Sequence, residues 1–240
     1  MLVAEGIEQE TYVAMGEQPE PFVANGRGIK FMVDLATGQK TGLYLDQLQN
    51  YQEVARLARG RRVLDCFCNQ GGFALACAKA GAASVTAVDI SEEAIASVRR
   101  NAELNGVEIE AVAENAFDFL KRESDKVRNG ADPKWDLIIL DPPSFTRNKK
   151  SLNGALRGYK EIHLRAMQML PLGGVLSTFS CSHHISADLF KQTICDAAVD
   201  GHCTLRQTHV HGQSPDHPIL LNIPETEYLK GFSFEMVPGR

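Results

Sequence analysis

Cys181 closes an apolar run in Thr178-Phe179-Ser180-Cys181-Ser182 and is followed by His183 and His184. A thiol there has three uses to weigh: core packing, metal ligation or nucleophilic attack. A second turn that could do chemistry, Leu140-Asp141-Pro142-Pro143-Ser144-Phe145, follows another apolar run. Asp65, Asp89 and Asn115 stand at the ends of three more such runs. Metal ligation fits poorly. Cys66 and Cys68 lack C-x-x-C spacing and have no histidine nearby in sequence, and two adjacent histidines without other ligands seldom hold an ion. No metal is therefore expected. Free cysteine is often a core residue, and that reading is given to Cys66, Cys68, Cys77, Cys195 and Cys203. For Cys181 the choice between packing and nucleophile rests on its surroundings.

Those surroundings follow from the pattern of the chain. From Leu48 onward helix-like and strand-like segments alternate. Strands are read at Arg62–Phe67, Ser84–Ile90, Ile109–Asn115, Asp136–Pro143 and Gly173–Ser182, each a nearly continuous apolar run. Helices are read at Leu48–Ala58, Gly71–Gly81, Ser91–Gly106, Ala116–Ser124, Gly158–Leu170 and Ser186–Gly201, with Ser91 as an N-cap and Gly106 just past a C-terminus. Two strand-like runs close the chain. This alternation predicts an α/β fold, a doubly wound, mostly parallel Rossmann-like sheet. The turn signals Asn25-Gly26, Arg27-Gly28 and Thr37-Gly38 predict a small N-terminal β-hairpin extension. The division expected is a β-rich extension over 1–47 and a catalytic domain over 48–240. The first ~20 residues read as a strand-rich fragment or a loose lead-in, as though an upstream domain were missing.

In open sheets of this kind ligands bind beyond the carboxyl ends of the strands, which is where the singled-out residues fall. Val63-Leu64-Asp65-Cys66-Phe67-Cys68-Asn69-Gln70-Gly71-Gly72-Phe73 lacks the G-x-G-x-x-G spacing of dinucleotide sites. Gly71 and Gly72 still allow close backbone approach, and the helix start offers free N–H groups. Asp65 is awkward for a pyrophosphate and natural for a cofactor bearing a positive group. Asp89 can accept from both ribose hydroxyls, and Asn115 can reach an adenine edge. Singly these are turn or cap residues; together at three strand ends they favour S-adenosylmethionine, with S-adenosylhomocysteine as product.

At the fourth strand end the prolines remove backbone donors and stiffen the loop. That leaves Asp141 as a fixed acceptor or proton carrier, and Phe145 as a platform for a base. With Gly42–Gln47, Val63–Phe73, Val88–Ser91, Asn101–Asn105, Leu140–Phe145, Arg157–His163, Thr178–Ser182, Asp216–Pro218 and Pro224–Phe232, the chain resembles the bacterial large-subunit rRNA cytosine-5 methyltransferases, class I enzymes of the large subunit methyltransferase I group. The resemblance covers nearly everything from about residue 22 onward. It implies Cys181 as nucleophile and Asp141 as the acid. It implies cofactor contacts at Tyr44 and Gln47, at Asp65, Phe67, Asn69, Gly71, Gly72 and Phe73, at Asp89 with Ile90, Asn115 with Ala116, and Asp141 with Pro142. Substrate contacts are expected at Pro143, Phe145, Lys160 and His183, with plain helix surface the alternative for Lys160. Leu48 departs from the pattern, which is commonly basic there, and Asn115 stands where an acid is frequent. Relatives of the group carry an N-terminal PUA RNA-binding domain, for which this chain has no room.

The chemistry implied is specific. Carbon 5 of cytosine is not nucleophilic until a thiolate adds to carbon 6. A cysteine after strand five and an acid after strand four are neighbours in such a sheet. Large-subunit rRNA is the expected partner. The competing readings are a purine N-methyltransferase, which needs no cysteine, and a non-catalytic RNA-binding assembly factor with a cofactor pocket. The net charge of −5 argues against gripping RNA by bulk electrostatics, although Arg59, Arg61 and Arg62, and then Arg147, Lys149 and Lys150, form local basic clusters. A hydrophobic fraction of 44% with 23% charged residues is that of an ordinary globular chain, so disorder is a poor expectation. No apolar run approaches the ~20 residues of a membrane span, and the opening residues lack a signal-peptide pattern. A cytoplasmic protein is expected. A homodimer is one arrangement considered; the sequence does not set the oligomeric state.

Overall fold

The computed structural model describes residue 13 and residues 15–35, 42–146 and 151–239. The expected lead-in, the Thr37-Gly38 turn and the Arg147, Lys149, Lys150 cluster lie wholly or mostly outside the described residues. Strands β1 (Phe22–Gly26) and β2 (Ile29–Val33) form an antiparallel hairpin. Its two-residue turn has Arg27 at φ 50° and Gly28 at φ 84°, and Asn25 Oδ1 accepts from Gly28 N at 2.8 Å. Two successive positive φ values match the right-handed twist of the flanking strands.

Strands β3 (Arg62–Cys66), β4 (Ser84–Asp89), β5 (Glu110–Ala113), β6 (Leu137–Leu140), β7 (Val175–Ser180), β8 (Thr204–Gly212) and β9 (Lys230–Val237) form one sheet in the order β5-β4-β3-β6-β7-β9-β8. β3 to β7 pair in parallel; β9 runs antiparallel to both β7 and β8. Helices α1 (Leu48–Ala55), α2 (Gly72–Lys79), α3 (Glu92–Asn105), α4 (Ala116–Arg128), α5 (Leu152–Gln168) and α6 (Ala187–Asp200) connect and cover it. α5 starts six residues earlier than its expected start at Gly158.

The continuous apolar strands are explained by burial on two faces. Side chains alternate along a strand. Leu64, Cys66, Ile138, Leu140 and Leu176 pack with α4, α5 and α6. Val63, Leu137, Ile139, Val175 and Phe179 pack with α1, α2, α3 and the hairpin. Ser91 caps α3 by accepting from Ala94 N at 3.1 Å, and Gly106 ends it at φ 64°. The chain moves outward from β3 to β5, then returns to β6 beside β3. That reversal leaves a crevice at the carboxyl ends of β3 and β6. No helix among the described residues is long and apolar enough to cross a membrane.

The hairpin is fixed by two asparagines of α3. Asn101 Oδ1 accepts from Met32 N at 2.8 Å, Asn105 Oδ1 accepts from Lys30 N at 2.9 Å, and Asn105 Nδ2 donates to Lys30 O at 2.7 Å. Side-chain amides thus take the place of a neighbouring strand on the open edge of β2. Ile29, Phe31 and Val33 are buried behind that contact.

Candidate active site

A cavity of about 860 Å³ opens at the crevice, within the ~300–1,000 Å³ common for small-molecule sites. Its floor is the loop after β3. Phe67, Asn69 and Gly71 there have φ of 62°, 48° and 84°. Positive φ costs energy for a side chain, and the surroundings hold the loop in place. Cys68 N donates to Val88 O at 3.1 Å and Asn69 N to Asp89 Oδ2 at 2.9 Å. Phe67, Asn69, Gly72 and Phe73 line the cavity. Gly71, an expected contact, does not line it; a Cβ there would sit 3.2 Å from Val98 Cγ2 of α3, and its φ is positive. Gly72 is required for a reason the sequence did not reveal: a Cβ there would sit 2.2 Å from Tyr51 Cζ of α1.

Asp65 does not line the cavity. It is fully buried under the loop, and its Oδ2 accepts from Ala74 N at 3.0 Å in the first turn of α2. Burial raises its carboxyl well above the usual range, against the pull of the Ala74 N–H and with help from Asp141 and Asp89. Oδ1 has no protein partner. An acid so placed supports the loop from below, where the sequence suggested direct contact.

Asp89 does reach the cavity. Its oxygens accept from Asn69 N and, at 3.0 Å, from Ser91 N. Each carboxylate oxygen has two lone pairs, so capacity for ribose hydroxyls remains. Ile90 beside it is a large apolar residue left 69% exposed at the cavity wall. Asn115 caps α4, its Oδ1 accepting from Phe117 N at 2.9 Å. It lines the cavity with Ala116 and Phe117. A cavity of this volume, with Asp89 and Asn115 among apolar Ile90, Ala116 and Phe117 on its wall, fits S-adenosylmethionine.

Cys181 and Asp141 also line this cavity. Asp141, Pro142, Pro143 and Phe145 follow β6; Cys181 follows β7, half-buried. Gln47 Nε2 donates to Asp141 Oδ2 at 2.9 Å, and Asn50 Nδ2 donates to Gln47 Oε1 at 2.6 Å. Tyr44 closes the wall nearby, its hydroxyl raised by burial and then by Asp141 and Cys181. Leu48 also lines the cavity and packs over Gly26 of the hairpin.

The loops after β6 and β7 are tied together by hydroxyls. Ser144 Oγ and Ser182 Oγ lie 2.9 Å apart, and Tyr159 Oη donates to Ser180 Oγ at 3.0 Å. Phe145 belongs to an aromatic cluster, its ring centroid 4.6 Å from Tyr159 and 5.6 Å from Phe117. That packing presents one part of the ring to the cavity and anchors the rest.

Two expected substrate contacts fall elsewhere. Lys160 pairs with Asp200 at 2.7 Å on the outer face of α5 and α6. His183 is exposed, 5.6 Å from the Tyr228 ring, and does not line the cavity. Arg62 pairs with Asp136 at 2.7 Å at the amino ends of the strands, remote from the site. Cys66 and Cys77 are buried, Cys68 is buried against the cavity, and Cys195 is exposed on α6. Among the described residues no group of three or more His, Cys, Asp or Glu is placed to hold a metal ion. Sequence reading missed Tyr51, Asn50, Asn101 and Lys230; the last two sit in the quoted Asn101–Asn105 and Pro224–Phe232 stretches, the one signal available.

Comparison with known proteins finds methyltransferases. The ribosomal RNA large subunit methyltransferase I of Erwinia tasmaniensis is 42% identical over 237 residues, 97% of this chain and 59% of that protein. The protein of the same name from Aeromonas hydrophila is 43% identical over 233 residues, 95% of this chain and 57% of its own length. The chain thus spans somewhat over half the length of these relatives. The crystal structure of SMU.776 complexed with SAH superposes with a TM-score of 0.80 at 26% identity, covering 93% of this chain and 58% of that one. Trm5b from Pyrococcus abyssi, at 19% identity and a TM-score of 0.66, shares the fold over 93% of this chain and 58% of its own. A sequence model described as S-adenosylmethionine-dependent methyltransferase matches residues 11–216. With that match spanning most of the sheet and the cavity built on it, the chain belongs to the S-adenosylmethionine-dependent methyltransferase family.

Proposed function

We propose that this chain forms 5-methylcytosine in large-subunit ribosomal RNA through a covalent cysteine adduct. The observation that carries the reading is the convergence of Cys181 and Asp141 on one cavity from adjacent strand ends. The names of the relatives at 42–43% identity support the class of RNA. Such a reaction is cytoplasmic in a bacterium.

When bound, S-adenosylmethionine supplies the electrophilic sulfonium methyl that carbon 5 takes up. The chain's own residues do the rest. The Cys181 thiolate adds to carbon 6 of the ring, and the electron pair displaced makes carbon 5 nucleophilic. Asp141, held by Gln47, acts as the protonated acid: its carboxyl donates a proton to nitrogen 3, neutralising the negative charge that thiolate addition pushes into the ring, and takes the proton back when the thiolate leaves. Loss of the carbon 5 proton to a base then expels the thiolate from carbon 6 and restores the aromatic ring. Pro142, Pro143 and Phe145 form the wall against which the base lies. The boundary between a 1–47 extension and a 48–240 catalytic domain is part of the same proposal. It divides the chain and not the packing, since Phe31 and Val54 share one core.

The test uses RNA containing 5-fluorocytidine, in which the carbon 5 substituent cannot leave. A denaturant-stable protein–RNA adduct is expected with the native chain and none with Cys181→Ala. Methyl transfer to ordinary RNA that survives Cys181→Ala would refute the covalent route and favour nitrogen methylation.

A further inference from the structure

The reaction above leaves unassigned a partly buried cation beside the loop of the thiol. Lys230 opens β9 directly opposite Ser180, the last residue of β7. Its Nζ donates to Ser182 O at 2.6 Å and to Ile185 O at 2.7 Å. An ammonium has three N–H donors, and two of them hold the turn that begins just after Cys181. The lysine therefore pins the loop of the thiol and brings a positive charge to it.

The neighbours of Cys181 make that charge matter. Groups electrostatically coupled to the thiol include Tyr44 before α1, Tyr159 on α5, and Tyr228 and Lys230 at the entrance to β9. Asp141 faces the same cavity from the loop after β6. Asp46 accepts from Tyr228 Oη at 2.7 Å, and Glu227 acts on Lys230. His183 and His184 are exposed in the loop of the cysteine itself. The three tyrosine hydroxyls are raised, first by burial, and stay neutral. Among these described groups Lys230 alone is a lysine or arginine. Burial lowers its ammonium to about 8, while Cys181 and Glu227 hold it up. The interaction is mutual: a thiolate that favours the ammonium is favoured by it.

We propose that Lys230 is a positioning residue for the nucleophile, holding the Ser182–Ile185 turn and stabilising Cys181 as the thiolate. The inference rests on the reading of Cys181 as the nucleophile.

Alkylation of Cys181 by iodoacetamide tests it, followed on the whole chain by mass spectrometry of the peptide carrying that residue, from about pH 6 to about pH 10. Lys230→Met and Lys230→Gln are expected to move the midpoint of the rate profile up by about one pH unit, roughly a tenfold loss of thiolate near neutrality. Lys230→Arg is expected to leave it in place. Glutamine keeps an N–H donor without the charge, so the test survives if the methionine variant fails to fold. A lysine with a purely structural role would change the plateau rate and not the midpoint. An unmoved midpoint in the glutamine variant overturns the proposal, and so does an equal shift in the arginine variant. The 5-fluorocytidine adduct separates the two readings. A native adduct with unmoved midpoints removes only the role of Lys230. A moved midpoint without any native adduct upholds the charge effect and removes the cytosine-5 reaction.

Discussion

Gln47 and Asp141 meet at 2.9 Å, Nε2 donating to Oδ2, although one residue precedes α1 and the other follows β6. The amide is not free to turn. Gln47 is 3% exposed, and its Oε1 accepts from Asn50, whose Nδ2 also donates to Gly212 O at 2.8 Å. A chain of polar contacts thus runs from the end of β8 through α1 to the carboxylate. Each member has its donor and acceptor fixed by the next.

Replacing Gln47 by Leu removes a donor to Asp141, while Asn50 Nδ2 keeps its bond to Gly212 O. Methyl transfer is expected to fall about 10- to 100-fold in kcat, the loss typical of a misplaced reacting group. Steady-state kinetics with labelled cofactor would show it. Unchanged kcat would mean that Asp141 is held by other contacts.

Asn101 joins two parts that the chain keeps apart. It accepts from Met32 N of the hairpin, donates to Gln70 O of the cofactor loop at 3.1 Å, and is fully buried. Asn101→Ala leaves both backbone groups without their partner, at about 1–3 kcal/mol each before relaxation. Urea unfolding should show a loss of that order, and calorimetry should show weaker cofactor binding. A destabilised protein with unaltered cofactor affinity would mean that the hairpin and the loop are not coupled through this side chain.

The strands of the site were legible because burial on both faces writes them as apolar runs. β3, β4, β6 and β7 fall within the runs read from the sequence, and Asp89, Asp141 and Cys181 land at one edge as that reading requires. The Asn25–Gly28 turn and the Ser91 cap are local chemistry and were equally plain. What was hidden depends on partners distant in the chain. Nothing local puts Asp65 under the loop, sets Gly72 against Tyr51, or pairs Lys160 with Asp200. The insertion of β9 between β7 and β8, which brings Lys230 to Ser180, is likewise a long-range pairing.

The contact of Gly72 with Tyr51 gives a direct test of the loop. Gly72→Ala forces a Cβ into a space 2.2 Å from the tyrosine ring. Tyr51 is held by the Phe73 ring at 4.7 Å and is largely buried, so it cannot simply swing away. The expected cost is about 1–3 kcal/mol, with a loss of cofactor binding. Adding Tyr51→Leu should restore part of both. A double variant no better than the single one would place the strain elsewhere.

His163 sets an acid limit on stability. Its ring is fully buried on α5, with Nε2 2.8 Å from Thr178 Oγ1, and burial lowers it to about 3 from an ordinary value of 6.5. The folded protein therefore holds this imidazole neutral while the unfolded chain protonates it. Between about pH 6.5 and about pH 3 the unfolded state binds more protons, so the stability this group contributes falls as the pH falls. A shift of this size amounts to a few kcal/mol, to order of magnitude. His163→Gln cannot take up a proton and keeps a donor toward Thr178. Its midpoint of thermal unfolding should change less than that of the native chain between about pH 7 and about pH 5, where carboxylates in ion pairs titrate little. Parallel pH dependence of the two proteins in that range would mean that the acid sensitivity lies with another buried group, His211 being the next to examine, since burial lowers its ring as well against the pull of Glu53.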